Sequence, residues 1–184
     1  QVDLFDRRFG RVYERGICML KEPARIRRLS REAGKAAEPV IAEGGAPEGG
    51  KVPKSMAKSI KKVNDACQAV NEWVYGEVAR ILKNGKVPGV VGGEHSVPFG
   101  AIEAVADEFE EIGVLHVDAH MDLRREFEGF RWSHASIMHN VLTRIEGVKK
   151  LVQVGIRDFG EREMQMADEA GHRVKVFYDD AIAE

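Results

Sequence analysis

The sequence predicts an α/β protein built on a parallel sheet with helices on both faces, and two observations lead to this class. From residue 89 onwards, short apolar runs alternate with amphipathic runs of about ten residues, which is typical of consecutive β-α-β units. The chain has 184 residues, of which 43% are apolar and 32% are charged. That is the size and balance of one globular domain with a buried core.

Two helices are predicted before the alternating region. The first, over 24–37, is basic, but acidic residues dilute its charge and no aromatic residues are interleaved with it. A solvated surface helix is therefore favoured over a nucleic-acid site. A run of glycine, alanine and proline predicts a flexible surface loop near 44–53. A long amphipathic helix over 55–83 follows and ends at Asn84-Gly85.

The alternating region is predicted to hold four strands and three helices. The strands are expected at 89–91, 112–117, 151–156 and 174–178, and the helices at 97–109, 137–145 and 161–170. Ser96 is the expected N-cap of the first of these helices, with Pro98 in its first turn. In such sheets, functional residues collect beyond the carboxyl ends of the strands.

Composition excludes several classes of protein. The 28 basic and 30 acidic residues leave a net charge of -2, which gives no general attraction to nucleic acid or to an anionic membrane. The apolar runs are too short for a transmembrane helix, and a signal-peptide pattern is lacking. The two cysteines, Cys18 and Cys67, fit a reducing compartment. We expect a cytoplasmic protein without a nucleic-acid or membrane partner.

Three side chains follow the second predicted strand at intervals of two residues, namely Asp118, His120 and Asp122. An extended backbone would turn all three to one side. Two carboxylates and an imidazole at one strand end would repel or lie desolvated unless a cation holds them. The pattern therefore favours a metal site over a chance arrangement at a solvated strand end.

A fourth metal ligand is predicted at the end of the preceding strand. His95 lies in the motif Gly-Gly-Glu-His-Ser at 92–96, where the two glycines permit a tight turn. Alone it would more often be a capping or loop residue. Together the candidates offer carboxylate oxygen and imidazole nitrogen, which favours manganese, magnesium or another hard ion. A pair of such ions commonly activates water, so the residues indicate a metallohydrolase.

The remaining histidines are weaker candidates. His134 opens the helix after the second strand and is either a proton carrier or a simple helix-start residue. His116 shares the parity of Asp118 but lies deeper in the strand, so a satisfied core histidine is expected. His139 and His172 have the context of helix or surface residues.

Three short motifs carry a resemblance to a known family. They are Gly-Gly-Glu-His-Ser at 92–96, Asp-Ala-His-Met-Asp at 118–122 and Ser-His-Ala-Ser at 133–136. In order and spacing they resemble the ureohydrolase family of arginase, agmatinase and formimidoylglutamase. The surrounding sequence, for example 153–158, looks like an agmatinase-like bacterial branch.

The resemblance implies a three-layer, arginase-like α/β/α fold with a binuclear manganese centre. By matching positions, His95, Asp118, His120 and Asp122 would be metal ligands, and His134 and Asp118 would be the catalytic residues. The implied reaction is hydrolysis of a carbon–nitrogen bond in a small guanidino or formimino substrate, which releases an amine with urea or formamide. A homo-oligomer is also expected.

Two departures from the family pattern bear on this expectation. Position 94 is glutamate where the family usually has aspartate, a change expected to touch the surroundings of His95. The family's later motif with two further aspartate ligands has no match after Asp158, and Asp179-Asp180 imitates it poorly. We therefore expect a single, partial ureohydrolase domain over 1–184. This chain alone is expected to show substoichiometric manganese and negligible activity.

Two alternatives to an agmatinase-like enzyme stay open. Arg124 follows the aspartate–histidine motif, and a guanidinium at the mouth of the site would bind a carboxylate-bearing substrate, as in a formimidoylglutamase. Arg124 is otherwise a structural ion-pair residue. The missing aspartates also leave open a metal-binding domain without catalysis.

Overall fold

A computed structural model describes residues 5–182, and five α-helices and three β-strands lie within them. In chain order these elements are α1 (Ala24–Ala42), α2 (Lys54–Lys83), α3 (Phe99–Phe109), β1 (Ile112–Val117), α4 (Ile137–Arg144), β2 (Val148–Ile156), α5 (Glu161–Glu169) and β3 (Val174–Tyr178). The strands are parallel and adjacent in the order β1-β2-β3. The predicted α/β class with a parallel sheet is confirmed.

The main core lies between one face of this sheet and helices α3, α4 and α5. Leu151 and Ile156 of β2 pack there against Ile137 and Val141 of α4, and all four side chains are almost fully buried. Because side chains alternate along a strand, Ile112, Val114 and His116 of β1 also turn towards the helices. This places His116, which is 4% exposed, at the end of the covered face.

Helix α2 packs against α3 on the side away from the sheet. The two helices lie close together at Gly100 of α3, where a Cβ atom would collide with the backbone of Asn71 and Tyr75. Glycine is required at this position because no side chain fits between the helices. A second core joins α1 and α2 through Val40, Met56 and other apolar residues.

The opposite face of the sheet is not covered by any of the described residues. Leu115 and Val117 of β1 are 68% and 72% exposed, and Phe177 of β3 is 42% exposed. The sequence predicts helices on both faces, but α3, α4 and α5 all contribute to the core on the same face. The described part of the chain therefore contains a sheet with one covered and one open face.

Two local predictions before β1 are wrong. No strand forms over 89–91, where Val91 is 90% exposed and no strand pairs with the segment among the residues described. Three apolar residues beside Pro88 have no hydrogen-bonding neighbour that would make them a strand. Ser96 is not the cap of α3 either, since the helix begins at Phe99 after a turn, with Pro98 at the N-cap position.

The loop near 44–53 is anchored at several points. Ala46 is buried and its N–H donates to the carbonyl of Glu128 at 3.1 Å. The N–H of Arg125 donates to Glu48 Oε1, also at 3.1 Å. These contacts tie the loop to the segment that follows the candidate site, and the flexibility of its other residues stays a prediction.

No helix within residues 5–182 combines the length and the apolar character needed to cross a bilayer.

Candidate metal centre

The segment that follows β1 carries the aspartate–histidine motif and leaves the extended conformation at once. The Asp118 N–H still donates to the Val154 carbonyl of β2 at 3.1 Å, but Asp122 has a φ of 54°. A positive φ at a non-glycine residue is uncommon and is tolerated best by aspartate and asparagine. The prediction that an extended backbone turns Asp118, His120 and Asp122 to one side is therefore wrong beyond Val117.

Four side chains nevertheless meet beyond the carboxyl end of β1. His95, His116, Asp118 and Asp122 each offer one ligand atom, and these atoms lie within 4.8 Å of one another. His95 Nδ1 is 2.5 Å from Asp122 Oδ2 and 3.7 Å from Asp118 Oδ2. His116 Nε2 is likewise 3.7 Å from Asp118 Oδ2. Three of the four predicted ligands are thus brought together, and His116 takes the place expected for His120.

Asp122 is fixed by the first turn of α4 and by α5. Its carbonyl accepts hydrogen bonds from the N–H groups of Met138 and His139, at 3.0 and 3.2 Å. These are among the amides that an α-helix leaves free at its N-terminus. The next residue, Leu123, donates its N–H to buried Glu163 Oε1 at 3.0 Å. The buried carboxylate of Asp122, 5% exposed, is therefore held by two helices.

His95 is held by the turn that leads into α3. Glu94 accepts a hydrogen bond from the Ser96 N–H at 3.1 Å and contacts the Ser96 hydroxyl. Glu94 therefore closes the turn around His95, and its carboxylate is not one of the four clustered groups. This agrees with the expectation that the glutamate affects the surroundings of His95.

Hydrogen bonds and burial at the cluster shift three pKa values. The hydrogen bond to Asp122 raises the pKa of His95, against the opposing effect of burial. Burial lowers the pKa of His116, so its imidazole is neutral near pH 7. Burial would raise the pKa of Asp118, but hydrogen bonds from the backbone and ring of His120 and the nearby His116 and His95 lower it overall. The site therefore contains an ionised carboxylate beside a neutral imidazole.

His120 lies beside this cluster and points outwards. Its side chain is 57% exposed, with Nδ1 3.0 Å from Asp118 Oδ1 and Nε2 3.7 Å from Asp158 Oδ2. A parallel bridge between His120 and Asp158 aligns the two residues. His120 therefore shares Asp118 with the cluster but is not one of its four members, and its role as a ligand stays a prediction.

The two other predicted site residues lie outside the cluster. His134 is exposed at the start of a short 3-10 turn before α4, and its ring is edge-on to Phe127 at 5.5 Å between centroids. Arg124 lies 3.5 Å from Glu163 and 3.6 Å from Glu48. These contacts favour the structural ion-pair alternative for Arg124. Substrate binding by Arg124 and proton transfer by His134 stay predictions.

The sequence interpretation missed the surroundings of His116. Its Nδ1 atom is 2.9 Å from Nε2 of Gln153, which is fully buried in β2, while its own Nε2 is buried without a hydrogen-bond partner. His116 is therefore a core histidine, as expected, but only one of its two nitrogens is satisfied. The available signal for His116 was its position two residues before Asp118, which places both on the same side of an extended strand. The contact with Gln153 follows only from the strand register that pairs the two residues.

The donor chemistry of the cluster fits a divalent ion. Two carboxylates and His95 supply oxygen and nitrogen ligands within reach of one centre, the ligand types taken by manganese, magnesium and zinc. Without a cation, Asp118 and Asp122 would hold two acidic groups together at a partly buried site. The Nε2 atom of His116 is buried without a hydrogen-bond partner and lies 3.7 Å from Asp118 Oδ2.

Fold and site together define an α/β protein with a candidate metal centre beyond the carboxyl end of a parallel strand. Residues 20–184 match the model of the arginase family, so the chain belongs to the arginase family. The predicted membership of the ureohydrolases and the arginase-like fold are therefore confirmed.

Individual relatives agree with this membership. The N(1)-aminopropylagmatine ureohydrolase of Thermus thermophilus is 35% identical over 140 residues, which are 76% of this chain and 46% of that protein. An arginase from Medicago truncatula superposes with a TM-score of 0.59 at 27% identity, covering 67% of this chain and 40% of that one. For an agmatine ureohydrolase of Thermoplasma volcanium the TM-score is 0.56 at 25% identity, over 64% and 38%. The chain spans less than half the length of the curated relatives it matches.

Proposed function

We propose that this chain provides the metal-binding part of a manganese-dependent, agmatinase-like hydrolase that cleaves a guanidino carbon–nitrogen bond and releases urea and an amine. The observation that carries the proposal is the cluster of His95, Asp118 and Asp122 beyond β1 in a chain of the arginase family. The relatives named as an N(1)-aminopropylagmatine ureohydrolase and agmatinases support guanidino substrates. Oxygen and nitrogen ligands without thiolates support manganese.

Each residue of the site has a definite part in this proposal. His95, Asp118 and Asp122 would hold the metal, and His120 lies against the second oxygen of Asp118, where it could serve a neighbouring ion. A bound divalent ion supplies the Lewis acidity that activates water for attack on the guanidino carbon. His134 is exposed and is oriented by Phe127, so its imidazole can exchange a proton with the leaving amine and with solvent.

The ion pairs of Arg124 support agmatine over a carboxylate-bearing substrate. Glu48 and Glu163 both lie within 4 Å of its guanidinium and offset the positive charge that would attract a carboxylate. We therefore expect agmatine to be hydrolysed in preference to arginine and formimidoylglutamate. Competition among the three substrates measures this preference. If formimidoylglutamate is preferred, and if Arg124→Ala abolishes that preference, the formimidoylglutamase alternative is favoured instead.

The decisive experiment replaces one carboxylate of the cluster. Asp118→Asn keeps the shape of the side chain but removes its charge, so we expect Mn²⁺ affinity to fall at least about 100-fold and urea release to be lost. Asp168→Asn, an exposed change in α5, is the matched control. Both variants are made in the whole manganese-loaded hydrolase of which this chain is proposed to be a part. Bound Mn²⁺ is counted by electron paramagnetic resonance, and urea is measured with agmatine as substrate. Wild-type urea release by Asp118→Asn would refute the proposal.

The proposal includes a cytoplasmic setting and association between copies of the chain. Two free cysteines, Cys18 and Cys67, support a reducing compartment. Exposed apolar side chains on the open face of the sheet, such as Leu115 and Val117, support association. Sedimentation of the purified protein tests the second point, and a monomer at all concentrations would contradict it.

A further inference from the structure

His116 is the clustered imidazole that is hydrogen-bonded to a group outside the cluster, the side chain of Gln153. Its ring is 4% exposed, with Nδ1 against Gln153 and Nε2 facing the carboxylates. A neutral imidazole carries a proton on one nitrogen and a lone pair on the other. Whether Nε2 is a metal ligand or a hydrogen-bond donor depends on which nitrogen carries the proton.

Gln153 settles this question through its second contact. Its Nε2 atom lies 2.7 Å from the Met121 carbonyl, which can only accept a hydrogen bond. Rotating the amide would place its oxygen against that carbonyl oxygen, so the nitrogen must occupy this position. The same nitrogen is 2.9 Å from His116 Nδ1, and it has two hydrogens to give. Gln153 therefore donates to both groups, and His116 Nδ1 accepts.

The proton of His116 is consequently on Nε2, which faces Asp118. Of the two oxygens of Asp118, Oδ1 already accepts from the backbone N–H of His120 at 2.8 Å. Oδ2 is 3.7 Å from His116 Nε2, so a movement of roughly 0.7 Å would complete a hydrogen bond. A nitrogen that carries a proton has no lone pair in the ring plane for a metal ion.

We infer that His116 is a positioning residue that donates a hydrogen bond to Asp118, and that Gln153 fixes it in this form. The inference rests on the metal site proposed above and assigns His116 to the support of a ligand, although its distance alone would permit ligation. Groups that hydrogen-bond a metal ligand orient it and tune its affinity for the ion. Both residues lie on adjacent strands and face the same core, so β2 contributes to a site whose proposed ligands His95, Asp118 and Asp122 precede it in the chain.

The first test reads the proton position directly in the full, metal-free chain. Two-bond ¹H–¹⁵N spectra at pH 8 distinguish the protonated from the unprotonated ring nitrogen, and the His116 signals are those lost in His116→Gln. We expect Nε2 to be protonated in the wild type. Gln153→Glu replaces the amide donor with a carboxylate oxygen, which accepts a hydrogen bond. This variant should therefore move the proton of His116 to Nδ1. Gln165→Glu, an exposed control in α5, should leave it in place. A wild-type ring with the proton on Nδ1, or with both nitrogens protonated, would overturn the inference.

The second test separates donation from ligation through Mn²⁺ affinity. His116→Gln retains an N–H donor near the position of Nε2, so we expect affinity within about threefold of wild type. His116→Leu removes the donor and should weaken binding by about tenfold or more. Equal losses in both variants would contradict a donor role. If the wild type binds no Mn²⁺, the proposed function fails, whereas the proton position in the metal-free chain still decides the form of His116.

Discussion

The two faces of the sheet carry similar apolar residues but have different surroundings. Leu151 of β2 is completely buried beneath the helices, whereas Leu115 of β1 is 68% exposed on the other face. Parallel strands with apolar residues on both faces are typical of sheets covered on both. The comparison shows that the apolar composition of a strand indicates which faces can be buried. Which face is buried depends on where the helices pack.

A matched pair of substitutions measures this difference. Leu151→Ala should lower the free energy of unfolding by about 3 kcal/mol, because it leaves a cavity in the core. Leu115→Ala should change it by less than about 0.5 kcal/mol, because the side chain is already in contact with solvent. Urea denaturation followed by circular dichroism gives both values. A similar cost for both variants would show that the open face is covered in solution.

The second prediction examines the layer behind the covered face, where α2 packs on α3. Gly100→Ala should destabilise the protein by about 2 kcal/mol, because the new methyl group collides with the backbone of α2 and overpacks the interface. Gly76→Ala in α2 is the control, since no atom lies within 4 Å of the added Cβ. It should stabilise the helix by about 0.5–1 kcal/mol. Thermal unfolding compares the two, and equal midpoints would contradict the close approach.

The third prediction, which concerns thiol reactivity and no change in stability, again compares the covered side with the exposed surface. Burial, assisted by the charge of Glu94, raises the pKa of Cys67 to about 11. At pH 8 only about one thiol in a thousand is then ionised, and the thiolate is the reactive form. Iodoacetamide should therefore modify exposed Cys18 well before Cys67.

Mass spectrometry of the native chain and of Cys18→Ser follows the two rates. The Cys18→Ser variant should react slowly when folded and readily in urea. As the pH rises towards 11, reaction at Cys67 should accelerate, because the thiolate fraction increases. Equal rates at Cys18 and Cys67 in the folded chain at pH 8 would contradict the protected position of Cys67.

The elements governed by local pattern could be predicted from the sequence. The amphipathic repeat predicted α2 to within one residue, and the strands at 112–117 and 174–178 match β1 and β3. Helix α1 runs on to Ala42 through Pro39, beyond the predicted end at residue 37. The burial of Val40 in the second core offsets the backbone hydrogen bond that Pro39 cannot donate. Strand β2 begins at Val148 and not at the predicted residue 151, because its backbone already pairs with β1 there. The two exposed lysines that follow Val148 interrupt the apolar run but not this pairing.

The candidate site divides along the same line. Motif spacing singled out His95, Asp118 and Asp122, and the structure brings these three together. Motif spacing did not indicate that the backbone turns at Asp122, because the positive φ of this residue depends on contacts with α4 and α5. The surroundings of His116 depend on a residue 37 positions later, Gln153, and register between strands cannot be read from local sequence.

The contacts that hold the segment after β1 have a consequence for how the protein folds during its synthesis. The carbonyl of Ala119 accepts from the N–H groups of Arg157 and Asp158, and Leu123 is bound by a carboxylate 40 positions further along. A nascent chain that has emerged only as far as Asp122 already carries all four clustered side chains but none of these restraints. Contacts between distant positions form only after the intervening loop is closed. The cluster is therefore completed after β2 and α5 have been synthesised and docked.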